Sequence, residues 1–400
     1  MDKIYLDNAA TTELDKKVEK AMKPYYREKY GNASSQHHLG QEANRALERA
    51  RNVIAKELNA KKDEIVFTSG GTESNNLALK GLAFMDQKKT GKKRHLITTK
   101  IEHDCVLNAS KWLKEKGWKV TFLDVDEEGF VDPDSLEDAI NEDTFLVSII
   151  HGNNEIGTIQ DLEELGKMCK ENDVLFHTDA CQSFTKTDLD VNKHNLDLVT
   201  LNAHKIHGPK GVGALYIREG TKITPIQHGG GHEQNRRSGT ENVSGIVGFA
   251  EAVKQASKKD RKRMAELRDK LITNLDKIEG SILNGPQPGN DRLCNNVNFI
   301  FKGVEGEAIG GHLDSYGICS STGSACSSHS LEPSHVLLAI GRSKSLAHGS
   351  IRLSIGKYNT EEEIDKVIEV MPKIIKKLRK ISPFEKIIDK VQGGNDDKEE

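Results

Sequence analysis

Short apolar runs recur along the first half of the chain, with longer stretches of helical spacing between several of them. That alternation restricts the fold more than any other feature. Ile65-Val66-Phe67-Thr68, Leu96-Ile97-Thr98-Thr99, Phe145 to Ile150, Val174 to His177, Leu198 to Leu201 and Gly213 to Ile217 read as buried strands. Asn75 to Gln87 and Asp104 to Lys116 carry charged faces at helical spacing. Strand–helix–strand repetition predicts an α/β fold with a largely parallel sheet. Ligands of such sheets sit beyond the carboxyl ends of the strands, so chemistry is sought immediately after each strand.

The pattern changes after about residue 245. Ile246 to Ile278 reads as one long helical stretch, and its basic run from Lys258 to Arg263 reads as a solvated face, with phosphate binding as the alternative. A loop rich in Gly, Pro and Asn follows at Asn284 to Asn290, and then a smaller α+β region. We expect a large domain over residues 13–260, a small domain built from 1–12 and 261–385, and a disordered acidic tail over 386–400. The 400 residues carry a formal net charge of −3, which argues against general nucleic-acid or anionic-membrane binding. No apolar run approaches the roughly 18–20 residues that span a bilayer. The start from Met1 to Asp7 lacks the pattern of a signal peptide. Six cysteines without C-x-x-C or other zinc spacing make a reduced, cytoplasmic protein with no structural metal the expectation.

Three post-strand segments carry chemistry. Thr68-Ser69-Gly70-Gly71-Thr72-Glu73-Ser74 ends a strand and opens a helix. Its glycines let the backbone approach a phosphate, and the helix N-terminus supplies N–H donors, with Thr72 as a possible hydroxyl donor. It matches neither G-x-G-x-x-G nor G-x-x-x-x-G-K, and a purely structural turn is the bland reading. Asp179, in His177-Thr178-Asp179-Ala180-Cys181-Gln182, can hold a cationic ring nitrogen or simply cap a helix. Lys205, in Asn202-Ala203-His204-Lys205-Ile206-His207-Gly208-Pro209, can form a Schiff base if its amine is desolvated, or be a surface loop lysine. A phosphate cradle, an Asp and a Lys after strands of one sheet are together what pyridoxal 5′-phosphate requires.

With Ile4-Tyr5-Leu6-Asp7-Asn8-Ala9-Ala10-Thr11-Thr12, Glu102-His103, Asn153-Asn154-Glu155-Ile156-Gly157, Arg237-Ser238-Gly239-Thr240 and Ser321 to Pro333, the chain strongly resembles the cysteine desulfurases. These are pyridoxal-phosphate enzymes of the class V aminotransferase group, with fold-type-I architecture. The resemblance runs to about Pro383 and implies conversion of L-cysteine to L-alanine. It makes Lys205 the Schiff-base lysine and Asp179 the partner of the ring nitrogen. Gln182 and Asn154 match groups that hydrogen-bond the ring hydroxyl and nearby atoms, and His103 matches an imidazole that stacks on the ring and shuttles protons. Gly71, Thr72 and His204 match the phosphate cradle. Thr240 matches a phosphate contact from a second subunit, which implies a homodimer. Arg352 matches the arginine that grips the substrate carboxylate, a task suited to a guanidinium fork.

Cys326 lies among small polar residues, Gly323-Ser324-Ala325-Cys326-Ser327-Ser328, whereas an ordinary buried cysteine sits in an apolar segment. It matches the cysteine that takes the sulfur as a persulfide and passes it to an acceptor, such as an iron–sulfur scaffold protein. Cys105, Cys169, Cys181, Cys294 and Cys319 are left as bystanders, with Cys319 close enough in sequence for redox coupling to Cys326. Asn202 stands where a serine commonly contacts the phosphate, and Ala33 where proline is usual. The C-terminal tail differs from the bacterial housekeeping type, where it helps dock the scaffold protein. The alternatives are a selenocysteine lyase, a class V aminotransferase, which needs no mobile cysteine, and a non-catalytic pyridoxal-binding scaffold, against which Lys205 and Cys326 argue.

Overall fold

The structure is a computed structural model that describes residues 3–322 and 333–381. Strands run in chain order at Ile4–Tyr5 (β1), Ile65–Thr68 (β2), His95–Thr99 (β3), Lys119–Leu123 (β4), Thr144–Ser148 (β5), Leu175–Asp179 (β6), Leu198–Asn202 (β7), Gly213–Ile217 (β8), Ser281–Leu283 (β9), Asn296–Phe301 (β10), Ile318–Cys319 (β11) and Ser350–Ser354 (β12). The chain divides into two compact units.

The larger unit comprises Thr11–Asn153 and Thr158–Arg261. Its seven-stranded sheet has the order β2-β8-β7-β6-β5-β3-β4. Neighbours from β7 to β4 pair in parallel, and β8 runs antiparallel to both β7 and β2. Every residue of β2, β3, β5, β7 and β8 is buried, as expected of strands covered on both faces. The strand β4 was not expected from the sequence. It is the sheet edge, with Lys119 exposed and Val120 to Phe122 only half-buried, so it lacks a buried apolar run. The run from Phe145 to Ile150 leaves the sheet at Ser148, whereas β6 continues past His177 to end on Asp179 itself.

The stretch from Ile246 to Ile278 is two helices, Val243–Gln255 and Lys258–Leu275, and not one. The backbone is extended at Ala256, and the Ser257 hydroxyl oxygen then accepts from the Asp260 N–H at 3.1 Å, as an N-cap does.

The smaller unit comprises Met1–Ala10, Asn154–Gly157 and Lys262–Glu400. It holds an antiparallel sheet of order β12-β10-β9 and a parallel β1-β11 pair. Its core gathers Leu271, Phe299, Phe301 and Leu353 with the apolar face of the Glu361–Ile381 helix. The four-residue segment Asn154–Gly157 is tied in by buried amides: Asn296 and Asn298 both donate to the Glu155 carbonyl, at 3.1 and 3.0 Å. Among the described residues no helix is long and apolar enough to cross a membrane.

Candidate active site

In the larger unit the ends of β2, β6 and β7 bring the expected groups together. Asp179 closes β6 and is buried. Its Oδ1 accepts from the Cys181 N–H at 2.9 Å and its Oδ2 from the Asn75 amide at 2.6 Å. Lys205 lies three residues past β7, in a segment pinned by Thr12, whose N–H and hydroxyl both donate to the His204 carbonyl at 2.9 and 2.8 Å. The Asp179 and Lys205 charges both bear on two buried thiols. Burial pushes the Cys105 thiol up to about 12, the Asp179 charge adds to this, and the Asn75 amide, the Lys205 charge and the Thr72 hydroxyl oppose it. The Cys181 thiol is raised by burial and then by Asp179, and Lys205 again pulls it down.

The segment expected to cradle a phosphate is the first turn of the Gly71–Thr90 helix. A Cβ at Gly71 would come within 2.5 Å of Cys181 Sγ, so only glycine fits there. Gly70, at a φ of +154°, faces open space. Asn202, the last residue of β7, is 3.7 Å from that same Cβ position through its Nδ2, and its Oδ1 is buried without a partner. Burial, and then the neighbouring Lys205 charge, hold the His204 imidazole down at about 4, so it stays neutral at physiological pH. Backbone N–H groups at a helix start, with the Thr72 hydroxyl on the first turn and the Asn202 amide beside Gly71, suit a phosphate. A buried carboxylate and a lysine beside them suit a cationic ring and an aldehyde, so this donor set fits pyridoxal 5′-phosphate.

His103 caps the Asp104–Glu115 helix: its Nδ1 accepts from the Cys105 N–H at 3.2 Å and lies 3.1 Å from the Cys105 sulfur. Glu102, beside it, is fully buried, and its Oε1 accepts from the Thr99 hydroxyl and the Ile150 N–H, both at 2.8 Å. Gln182 is buried one turn beyond Asp179, with its carbonyl accepting from Lys186 Nζ at 2.9 Å.

Thr240 is exposed, at the end of a loop fixed at two points. The carboxylate of Glu233 accepts from both terminal nitrogens of buried Arg51, at 2.7 and 2.9 Å, and from the Phe67 N–H at 2.8 Å. Arg237 forks onto Glu73 at 2.8 and 3.3 Å. Between these anchors Glu233, Gln234 and Asn235 all adopt left-handed backbone, with φ of 46°, 56° and 63°.

Asn154 and Arg352 belong to the smaller unit. Arg352 is buried in β12 and donates to the Asn154 carbonyl and to Asp7 Oδ1, each at 3.0 Å. Its backbone pairs with Ser321, five residues before Cys326 in sequence. Cys326 itself lies outside the described residues; further along the chain, the Ser334 hydroxyl donates to Glu155 at 2.5 Å.

The sequence leaves Cys105 as a bystander, gives Glu102 a place in a motif but no role, and offers no signal for Asn75. Cys105, two residues beyond His103 on the same helical turn, was the one with a local signal.

Residues 4–367 match the protein family described as Aminotransferase class-V. The chain is 53% identical over 385 residues to "Cysteine desulfurase IscS" of Dictyoglomus turgidum, covering 95% of this chain and 96% of that one. It is 50% identical to the protein of the same name from Methanosarcina thermophila, over 95% of this chain and 94% of the relative. Among solved structures, one described as "NIFS-like protein" superposes with a TM-score of 0.87 at 42% identity, covering 94% of this chain and 100% of the other. With a carboxylate at the end of one strand and a lysine just past its neighbour in a mostly parallel sheet, the chain belongs to the class-V aminotransferase family, among its cysteine desulfurases.

Proposed function

We propose that this protein is a pyridoxal 5′-phosphate-dependent cysteine desulfurase that converts L-cysteine and the Cys326 thiol to L-alanine and a Cys326 persulfide. The observation that carries the reading is the placement of buried Asp179 at the end of β6 and of Lys205 three residues past the neighbouring β7, beside the helix that starts at Gly71. A solved relative described as "SspA in complex with cysteine", 38% identical with a TM-score of 0.80 over 90% of this chain and 100% of that one, supports the choice of substrate.

When bound, the cofactor supplies an aldehyde that condenses with amines and a ring that withdraws electrons from the substrate α-carbon. Asp179 holds the proton of the ring nitrogen, and Gln182 and Asn154 orient the ring hydroxyl. Gly71, Thr72, Asn202 and His204 hold the phosphate. Lys205 would hold the cofactor aldehyde at rest and would move the proton of the substrate α-carbon. Arg352 grips the substrate carboxylate, with Asn154 beside it. His103 manages the proton at the leaving sulfur. The Cβ–S bond of cysteine breaks, an S–S bond forms to Cys326, and the carbon skeleton takes up a proton to become alanine.

Thr240 completes the phosphate site of a second subunit, so the working form is a homodimer. The persulfide goes to an acceptor protein such as an iron–sulfur scaffold. A reducing cytoplasm is the compartment this reading assigns, where a thiol such as Cys326 stays available. The test is alanine release from L-cysteine by the holoenzyme, with mass analysis of the peptide containing Cys326. Cys326→Ser should retain the cofactor and lose both alanine release and bound sulfur to background, because a hydroxyl is a far poorer nucleophile toward sulfur than a thiolate. Near-normal alanine release by that variant would reject the mechanism.

A further inference from the structure

We infer that Cys105 and Asn75 are positioning residues that hold His103 in the tautomer protonated on Nε2 and join it to Asp179 through one row of hydrogen bonds. The inference rests on the desulfurase reading for its kinetic part alone. The Cys105 N–H can only donate, and it points at His103 Nδ1 over 3.2 Å, so Nδ1 presents a lone pair and the ring proton is on Nε2. The Cys105 sulfur, 3.1 Å from the same nitrogen, therefore faces an acceptor and donates its S–H. Burial keeps that thiol protonated, so the donor persists across the working pH range.

The sulfur in turn accepts from the Asn75 amide at 3.1 Å, and the same amide nitrogen donates to Asp179 Oδ2 at 2.6 Å. The orientation of this amide follows from its neighbour, since an amide oxygen at that distance from a carboxylate would be repelled. Every proton in the row Asp179–Asn75–Cys105–His103 is thus assigned. Three elements contribute: the Gly71–Thr90 helix, the Asp104–Glu115 helix and the end of β6. Two donors on Nδ1 leave Nε2 as the nitrogen through which His103 gives and regains a proton, while Asn75 registers this imidazole against the carboxylate assigned to the ring nitrogen.

The test uses the holoenzyme with isotopically labelled histidine, read by long-range proton–nitrogen NMR, with His103→Gln to assign the ring signal. His103 should be neutral and protonated on Nε2. Cys105→Ala keeps the backbone N–H and so should stay protonated on Nε2, but loss of the second donor should shift the Nδ1 resonance, and kcat for alanine release should fall about three- to tenfold at unchanged KM. Cys105→Ser keeps an O–H donor and should stay within about twofold of wild type in kcat. A wild-type ring protonated on Nδ1, or a Cys105→Ala protein with unchanged ring signals and kcat, would overturn the assignment. Should Cys105→Ala fail to fold, the wild-type tautomer decides alone. Absence of alanine release by the wild-type holoenzyme would sink the desulfurase reading, and the ring measurement would still decide this one.

Discussion

Glu102 gives the structure a pH dependence that can be worked out in advance. Its side chain is fully buried, and burial is the main reason its carboxyl is raised from 4.5 to about 8; the Asp179 charge adds to the rise, and the Ile150 N–H and Thr99 hydroxyl oppose it. The folded chain therefore keeps a proton that the unfolded chain releases above pH 4.5. The neutral carboxyl contributes its full stability below that value, and the contribution is lost as pH rises toward 8. The slope is about 1.4 kcal/mol per pH unit, so the loss between pH 6 and pH 8 is on the order of 2–3 kcal/mol. Glu102→Gln has no such proton, and its amide oxygen can still accept from Thr99 and Ile150. All other titrating groups are common to both proteins and cancel in the difference. With an unfolding entropy of about 2 cal/mol/K per residue, the melting temperature of the variant relative to wild type should rise by roughly 3 °C over that window. Parallel thermal melts of the two holoenzymes from pH 5 to pH 9 measure it. A difference that stays flat across that range would refute the idea that Glu102 is held neutral.

Arg352→Lys keeps the charge but loses the fork, and a charge-assisted hydrogen bond of about 1.5–3 kcal/mol predicts a ten- to hundredfold fall in kcat/KM for L-cysteine. Cofactor absorbance should be unchanged, and a variant that sheds cofactor yet handles L-cysteine normally would mean the residue is misassigned. Borohydride reduction of the holoenzyme should fix the pyridoxyl group to the peptide carrying Lys205, and a label on Lys210 instead would remove Lys205 from its role. Mixing Lys205→Ala with Thr240→Ala should restore activity as subunits exchange, because some heterodimers then hold one intact site; no recovery despite demonstrated exchange counts against a shared site.

Much of the sheet could be read locally because its central strands are continuous buried runs, and the residues at their ends carried the chemistry. Asp179 and Lys205 are singled out this way, each from a few neighbours in sequence, and the structure puts them at the end of β6 and just past the adjacent β7. The edge strand at Lys119–Leu123 had no such signature, being only partly buried. The break at Ala256-Ser257 was hidden because helix-like sequence continues on both sides of a two-residue step. Asn75 and Cys105 escaped for a different reason. Their contacts join residues 104 positions apart, between Asn75 and Asp179, and 30 apart, between Asn75 and Cys105. Such meetings follow from the order of strands in the sheet, which no local pattern states. The attachment of Asn154–Gly157 to the smaller unit likewise depends on buried asparagines more than a hundred residues away.

The loop that ends in Thr240 has a bearing on how two chains come together. An unstructured loop loses on the order of 1–2 kcal/mol of backbone freedom per residue when it docks. Here the Arg51–Glu233 fork and the Arg237–Glu73 fork hold the loop within its own chain, and three successive residues are kept in a conformation that only such anchoring sustains. In the proposed homodimer that ordering is completed while each chain folds. Assembly then resembles the docking of two rigid bodies, with a rate set by encounter and orientation rather than by rearrangement. Loosening the anchor, as in Arg51→Met, should accordingly be felt far from the guanidinium, as an enzyme whose specific activity falls on dilution.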